Sequence, residues 1–578
     1  MTELDLVLCW HMHQPDYRRR GEYLRPWTWL HAIKDYSDMA AHLEANPGAR
    51  AVVNFSPILL EQLQDYPARI FASLENGMPI RDRILDALAG RMPGPDELPA
   101  LMQSLLRVNE NTVKPRFGHY AQLHELTLQA LAEARVLPRP ELDDLLTWYV
   151  LVWMGALLRD REPLAVLKEK ARGFSEQDRR DLLTAVAEIM QELVPRYRAM
   201  AESGQIELSL TPYAHPILPL MQSMASARDA WPDVELPNEE YPGGDARCDW
   251  HLDEAQAVFQ RAFGFAAKGC WPSEGAVSEP TLNLLQQHGY QWAASGAQVL
   301  FNSLGRSESQ PQLEPWELAK DSGRSESLTC FFRDDELSDR IGFEYSKWDA
   351  SEAVDDFVYR LEQRANDPGC PENPVLSIIM DGENAWEYYP WNGAEFLQTL
   401  YERLASHPRI RLTTFSEARR VRTPRSLEKL SAGSWVYGNF STWVGDPAKN
   451  RAWEVLIAAK RAVDAALGRA LESNDSSVTQ QAEWVKSVQH QLAVCEASDW
   501  FWWLGEDNRL EDGPAFDLLF RQQVAVLYEL IGLEPPPRLD EPLNRPAAQV
   551  LPEDEARPDG QSPASAGAMK PTLSDTAL

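Results

Sequence analysis

Short, nearly apolar runs, each followed by polar residues, punctuate the chain: Leu6 to Trp10, Val52 to Phe55, Ile206 to Leu210, Gly269 to Trp271 and Val375 to Met380. Between them lie stretches whose apolar residues recur three and four positions apart, the period of a helix with one buried face. Leu252, Ala255, Phe259, Ala262 and Phe263, closed by Gly264, make one such stretch, and Val354, Phe357, Val358 and Leu361 another. Strands alternating with helices predict parallel pairing. The run Val375 to Met380 is almost wholly apolar, as a strand must be when helices cover both faces of its sheet. The pattern fits an α/β fold, either a parallel barrel or a doubly wound sheet, and both place ligand chemistry at the C-terminal ends of strands.

Two segments break the alternation. From about residue 81 to residue 203 the sequence is helix-like with no convincing strand, which predicts a large helical insertion able to shape a cleft. After Thr413 to Arg422 the pattern turns to long amphipathic helices, including Phe516, Leu519, Phe520 and Leu527. We therefore expect a catalytic domain over 1–425, a helical C-terminal domain over 426–533 that contributes to the cleft, and a tail over 534–578. The tail is rich in Pro and polar residues and has no Phe, Trp or Tyr, so it is expected to stay mostly disordered. Length alone, 578 residues, would suggest three or four units of about 100–200 residues; the pattern reduces these to two domains and the tail.

Charge narrows the partners. With 56 basic against 87 acidic side chains, a formal balance of −31, the chain would be repelled by nucleic acids and anionic membrane surfaces, whereas a neutral substrate is not penalised. The longest apolar stretch, Leu145 to Leu158, has the length of a buried helix rather than a membrane span. The N-terminus shows no secretion signal. Six cysteines without a C-x-x-C pair fit reduced thiols, hence a cytoplasmic setting, better than disulfides or a zinc site.

Four clusters carry candidate chemistry. His11-Met-His13-Gln14-Pro15 follows the first strand, and two His two residues apart on an extended chain point the same way. They can hydrogen-bond a polar ligand together, ligate a metal with a third group such as Asp16, Glu207 or His215, or serve as structural caps. Glu207 lies inside an apolar strand that runs into Thr211-Pro-Tyr-Ala-His215; a charge there needs a ligand or, as the commoner arrangement, an ordinary buried partner. The remaining two clusters are Trp271-Pro-Ser-Glu274-Gly275 and Asp381-Gly-Glu383-Asn384-Ala-Trp386. Each puts a carboxylate just beyond a short apolar strand, beside Trp and Gly. Either alone fits a capped turn; together they supply the two carboxyl groups that glycosidic bond cleavage requires. An apolar aromatic wall can raise the pKa of the proton donor so that it stays protonated near neutrality. The chain also holds 20 Trp, several near these motifs and in Ser498-Asp-Trp500-Phe-Trp502-Trp503-Leu-Gly-Glu-Asp507. Flat aromatic rings flanked by polar groups suit the C–H faces of sugars, although any single Trp is as readily core.

In this order the motifs resemble those of glycoside hydrolase family 57, the retaining, α-glucan-active family, over roughly residues 5–533. His11 to Pro15 is similar to the family's opening H-x-H-Q-P, and Glu207 with Thr211 to Pro216 to its second region. Trp271-Pro-Ser-Glu274 resembles the third, whose Glu is the nucleophile, and Asp381-Gly-Glu-Asn the fourth, whose Asp is the general acid/base. Gly433-Ser-Trp435, Thr442-Trp443-Val-Gly445-Asp446 and Asn450-Arg-Ala-Trp453 resemble the fifth. Pro272-Ser273 departs from the more usual Leu-Pro and bears on how the turn aims Glu274. The segment Ser498 to Asp507 resembles one found in amylopullulanase relatives.

The resemblance implies a (β/α)7 barrel followed by a helical domain, with Glu274 and Asp381 about 5–5.5 Å apart for a retaining double displacement. It implies substrate contacts from His11, His13, Gln14, Glu207, His215, Trp271, Trp386, Trp443, Asp446, Trp502 and Trp503, an α-glucan or maltooligosaccharide substrate, and no cofactor or essential metal. Gln14-Pro15 is more similar to hydrolases and glucanotransferases than to branching enzymes, which favours an amylase or amylopullulanase-like hydrolase, with a 4-α-glucanotransferase as the alternative. A metal-dependent deacetylase or mannosidase-like hydrolase using His11 and His13, or a non-catalytic glucan-binding protein, are the readings from other classes.

Overall fold

The computed structural model describes residues 3–305, 309–319, 328–472, 478–506 and 513–544. Seven parallel strands close on themselves: β1 (Leu4–Met12), β2 (Ala51–Phe55), β3 (Ile206–Leu210), β4 (Gly269–Cys270), β5 (Trp292–Gly296), β6 (Thr329–Arg333) and β7 (Val375–Asp381). Each pairs with the next, and β7 closes the circuit by pairing with β1 from Asp5 to His11 and bridging β6 at Arg333. This is the expected (β/α)7 barrel. β1 is buried along its whole length and β7 along all but its last residue, which explains their almost unbroken apolar sequence.

Helices cover the barrel and fill the connections. Between β2 and β3, residues 81–203 form helices and turns, with an isolated bridge from Asp82 to Tyr23 and no strand; among the helices are α1 (Arg139–Trp153) and α2 (Glu176–Glu202). In α1 every residue from Leu145 to Trp153 is buried, so its apolar character serves packing. No helix among the described residues is long and apolar enough to cross a membrane. A reciprocal capping box starts α2, with Ser175 and Asp178 each accepting from the other's backbone N–H. α3 (Gly244–Phe263) stops at Gly264, which takes φ 83°, a left-handed geometry that suits glycine. α4 (Ala350–Asn366) begins at Asp349, whose carboxylate accepts from Ser351 and Glu352 N–H.

An additional strand, β8 (Ile410–Thr413), runs parallel to the first half of β1 while β2 pairs with the second half. The segment after β8 therefore plugs the N-terminal end of the barrel: Phe415, which opens α5 (Phe415–Val421), packs its ring 4.4 Å from Trp292 and 4.7 Å from Phe331. The last part of the chain contributes α6 (Pro447–Glu472), α7 (Val478–Cys495) and α8 (Gly513–Leu530). The chain after residue 533 is not all loose: Leu539 and Leu543 are buried, and Asp517 in α8 accepts from the Leu543 N–H. Residues 545–578, the rest of the expected tail, lie outside the described residues. All six cysteines are unpaired, and all but Cys370 are buried.

Candidate active site

The C-terminal ends of the strands open into a cleft of about 910 Å³, counted with the space open to solvent. Its floor follows from side-chain alternation along β1. His11 and His13 face inward with Cys9, and beside them stand Asn54 from β2 and Ser209 and Thr211 from β3 and its extension. Asn54 Oδ1 accepts from Thr211 Oγ1 at 2.9 Å and lies 2.7 Å from His11 Nδ1. An amide oxygen can only accept, so His11 carries its proton on Nδ1 and presents a bare Nε2. That Nε2 lies 3.2 Å from His215 Nε2, which must then be the donor, leaving His215 Nδ1 to accept from Ser498 Oγ at 2.8 Å. Both rings are neutral: burial and neighbouring histidines push His11 down to about 3 and His215 well below the ordinary histidine range. His13 stacks on His215 with ring centres 3.9 Å apart and sets Nε2 3.0 Å from both oxygens of Asp499.

Glu274 sits on a tight turn directly after β4. Its backbone takes φ 58° and ψ 23°, the left-handed region that non-glycine residues occupy at a cost. Gly275 comes next with φ 59°, and a Cβ there would come within 2.7 Å of the Trp271 ring. The turn is held by Gly275 N–H donating to Pro272 O, Trp435 N–H to Glu274 O, and Ser295 Oγ to Gly275 O. Pro272 and Ser273 are thus accommodated within a turn that directs Glu274 into the cleft. The indole Nε1 of Trp435 donates to Glu274 Oε2 at 2.8 Å. His215 Nδ1 stands 3.9 Å from the other carboxylate oxygen.

Asp381 ends β7 in register with His11 and accepts from Asn384 Nδ2 at 3.2 Å. The buried guanidinium of Arg333 lies 5.4 Å from the centre of the Trp435 ring and lowers Asp381, as do Asn384 and His13, but burial outweighs them and pushes Asp381 up to about 6. Burial, then the charge of Asp381, push Glu274 up to about 8, with the Trp435 hydrogen bond opposing. Carboxyls coupled in charge in this way titrate as a pair. Glu383, in the same cleft, is raised well above the carboxylate range by burial and by Asp381. It accepts from Gln14 Nε2 and the His13 N–H, both at 3.3 Å.

Gln14, Trp502 and Trp503 line the cleft as well, the last stacked on Phe516 at 4.3 Å. Of the eleven expected substrate contacts, the structure brings His11, His13, Gln14, His215, Trp502 and Trp503 to the cleft with Glu274 and Asp381. It does not bring the other five. Glu207 faces into the barrel two residues below Ser209, near the opposite end. There its carboxylate accepts from Trp292 Nε1 at 2.7 Å and from the Ser416 backbone N–H at 2.9 Å and hydroxyl at 2.5 Å, tying the plug helix α5 to the barrel wall. It is a structural acceptor, as a carboxylate in an apolar strand more often is. Glu207→Ala should lower the melting temperature through the loss of about 1–3 kcal/mol, because Trp292 Nε1 and the Ser416 N–H lose their partner. Turnover at the cleft should stay within about twofold of wild type, the sites being well separated.

Trp386 packs outside the barrel against Trp10, its Nε1 donating to Gly382 O. Trp271 is fully buried edge-on against Trp435, and Trp443 lies behind Trp502 with ring centres 6.3 Å apart. Asp446 caps the turn into α6, accepting from Ala448 and Glu506 N–H. Asp507 lies outside the described residues. Sequence reasoning singled out none of Trp435, Asp499, Glu383, Asn384, Tyr17, Trp27, His31 or Phe516 as a site residue, yet all line the cleft. For Trp435, Asp499, Glu383 and Asn384 the signal was their place inside the motifs. The others offered none, since their approach depends on the fold.

Three of these groups could hold a cation: ligand atoms of His13, His215 and Asp499 all lie within 4.8 Å of one another. In the structure the same atoms are hydrogen-bonded to each other and to their neighbours. Chemically, the arrangement offers one carboxylate that an indole N–H stabilises in its charged form, a second carboxyl coupled to it in charge, and an aromatic wall over a floor of neutral imidazoles.

Comparison with known proteins agrees with this layout. The family model for glycosyl hydrolase family 57 matches residues 7–431. No curated protein sequence matches the chain. Among solved structures, it is similar to a GH57 branching enzyme from the hyperthermophilic archaeon Thermococcus kodakaraensis (TM-score 0.57, 14% identity, covering 91% of this chain and 90% of that one). It is likewise similar to a GH57-type branching enzyme from Pyrococcus horikoshii (TM-score 0.56, 16% identity, 95% and 98%). A third likeness is to the α-amylase AmyC from Thermotoga maritima (TM-score 0.54, 13% identity, 92% and 93%). At these identities the likeness is one of fold.

Proposed function

Because the chain belongs to glycosyl hydrolase family 57, we propose that it cleaves α-1,4-glucosidic bonds, and α-1,6 bonds where they fit, in maltooligosaccharides and larger glucans with retention of configuration. The observation that carries this reading is the pair Glu274 and Asp381 in one cleft, coupled in charge, with Trp435 Nε1 bonded to only one of them. Glu274 attacks the anomeric carbon while Asp381 gives its proton to the departing glycosidic oxygen. Asp381 then takes a proton from the water that releases the glycosyl-enzyme. In the free enzyme Glu274 has the greater hold on the shared proton. When substrate binds, the glycosidic oxygen accepts from Asp381, and positive charge growing at the anomeric carbon favours ionised Glu274, so the proton resides on Asp381. Gln14, His13, His215 and Asp499 hold hydroxyls of the reacting sugar, and Trp502 and Trp503 stack on neighbouring rings.

The working form carries one proton on the pair, and this fixes the sign of the pH dependence. Below about 6 both carboxyls are protonated and the nucleophile is lost. Above about 8 both are ionised and the acid is lost. The pH profile of kcat/KM, which reports the free enzyme, is expected to be a bell with its limbs near these values. A profile flat across both would overturn the pairing.

Fold likeness does not choose between hydrolysis and transfer, since branching enzymes and an amylase resemble the chain about equally. The hydrolase reading rests on Gln14-Pro15. Products from maltotetraose and pullulan decide it: shorter sugars alone support hydrolysis, and oligomers longer than the substrate support transfer. Turnover of neither sugar, nor of soluble starch, would remove the catalytic reading.

A further inference from the structure

A second, smaller cavity of about 360 Å³ lies on the other side of the Asp381 segment, between that segment and the helical insertion. Its lining is cationic in a chain of net charge −31: Lys34, Arg116 and Arg159 all face it. Lys34 is paired with Glu387 at 3.3 Å and Asp35 at 3.5 Å, so its charge is accounted for. The two arginines are not so matched. Each gives its Nε–H to a backbone carbonyl, Arg116 to Thr112 O and Arg159 to Met154 O, and each has a buried Nη1 with no hydrogen-bond partner. Arg159 is only 7% exposed.

Asp38, whose charge acts on Arg159, is occupied by Asn392 Nδ2 and by the backbone N–H groups of Ala156 and Leu157. Burial, then the neighbouring charge of Arg116, push Arg159 down to about 10, outweighing the opposing charges of Asp38 and Asp160. A third buried donor without a partner, Trp153 Nε1, belongs to a residue of the same lining. Leaving such groups unsatisfied costs about 1–3 kcal/mol each, and the cost is relieved when an anion accepts from all of them. At one side stands Trp391, 45% exposed, with both guanidinium groups within 5.8 Å of its ring centre. Its backbone is held left-handed at φ 51° and that of Asn392 at φ 57°, a strained geometry of the sort kept at binding sites.

We propose that this cavity binds a phosphate group, free or carried by a small sugar, through Arg116, Arg159 and Trp153, with Trp391 placed to stack on the sugar. The site is separate from the glucan cleft and does not depend on the activity proposed for it. A neutral glucan offers nothing that would satisfy the two guanidinium groups.

Isothermal titration of the full chain with inorganic phosphate, glucose 6-phosphate and glucose tests this. Saturable binding of phosphate or of the ester is expected, weakened at least about tenfold in Arg159→Met and in Arg116→Met, the loss of one charge-assisted contact. Equal affinity for phosphate and ester identifies the free anion as sufficient. An ester at least about tenfold tighter, with the difference abolished in Trp391→Ala, identifies the phosphorylated sugar. Both arginine variants should retain wild-type melting behaviour and turnover of maltooligosaccharides. Arg116 is half-buried, so its variant remains informative if Arg159→Met fails to fold. Absence of saturable binding to either phosphate compound, or binding unchanged in a folded Arg116→Met protein, overturns the proposal.

Discussion

Replacing Glu274 with alanine is expected to lower kcat on a maltooligosaccharide by about 10⁴-fold or more, the scale on which removing a covalent nucleophile acts. The loss follows from position rather than charge alone. Glu274 is fixed by its left-handed turn, by Trp435 N–H on its carbonyl and by Trp435 Nε1 on its carboxylate. The diagnostic measurement is rescue. Azide entering the space vacated by the side chain should attack from the same face and give a glucosyl azide of inverted configuration. Azide that restores no turnover of an activated glucosyl fluoride, or that gives a retained product, would remove Glu274 from the nucleophile's role.

The second large effect is expected at Asp381. Asp381→Ala should reduce turnover of a maltooligosaccharide by about 10²–10⁴-fold, the contribution of a positioned general acid. With glucosyl fluoride, whose leaving group needs no proton, formation of the glycosyl-enzyme should be nearly unaffected and its hydrolysis slow. A burst of fluoride followed by a slow steady state is the signature, and azide should restore turnover with retained configuration. The same variant should lose the alkaline limb of the pH profile, because without Asp381 the pair's shared proton no longer supplies the acid, and its loss at about 8 leaves Glu274 in the ionised form a nucleophile needs. An equal loss on both substrates would instead assign Asp381 to binding or positioning.

Much of the fold was legible because parallel strands buried on both faces cannot conceal their composition. Leu4–Met12 and Val375–Asp381 are visible as apolar runs, and the helices ending at Gly264 or starting at Asp349 follow from period and caps. Two barrel strands were not visible. Trp292-Ala-Ala-Ser-Gly is poor in β-branched residues, its small side chains leaving room for neighbours, and Thr329-Cys-Phe-Phe-Arg is short and ends in a buried arginine that the half-buried carboxylates Asp335 and Asp339 neutralise. The two central carboxylates were readable because each follows a strand directly. Depth along the barrel axis was not readable. Glu207 and Thr211 lie in one motif, yet only the later end of that strand reaches the cleft, since each residue of a strand advances about 3.3 Å. Tryptophans misled for a related reason: Trp386, Trp271 and Trp443 are next to the site in sequence but turn their rings into the packing that supports it.

Trp435 has a consequence for the unity of the enzyme. The family match ends at residue 431, four positions before the residue that grips Glu274 at two atoms, and Asp499, Trp502, Trp503 and Phe516 come later still. A chain cut at the family boundary would carry both carboxyl groups and all the barrel strands, yet leave Glu274 without its indole donor and the cleft without a wall. The cleft is therefore built by the two regions together. Exchange of C-terminal segments between relatives should reset the aim of Glu274 together with the choice of sugar, so shuffling experiments that treat the barrel as the portable part will move the chemistry only when residue 435 and its helical neighbours move with it.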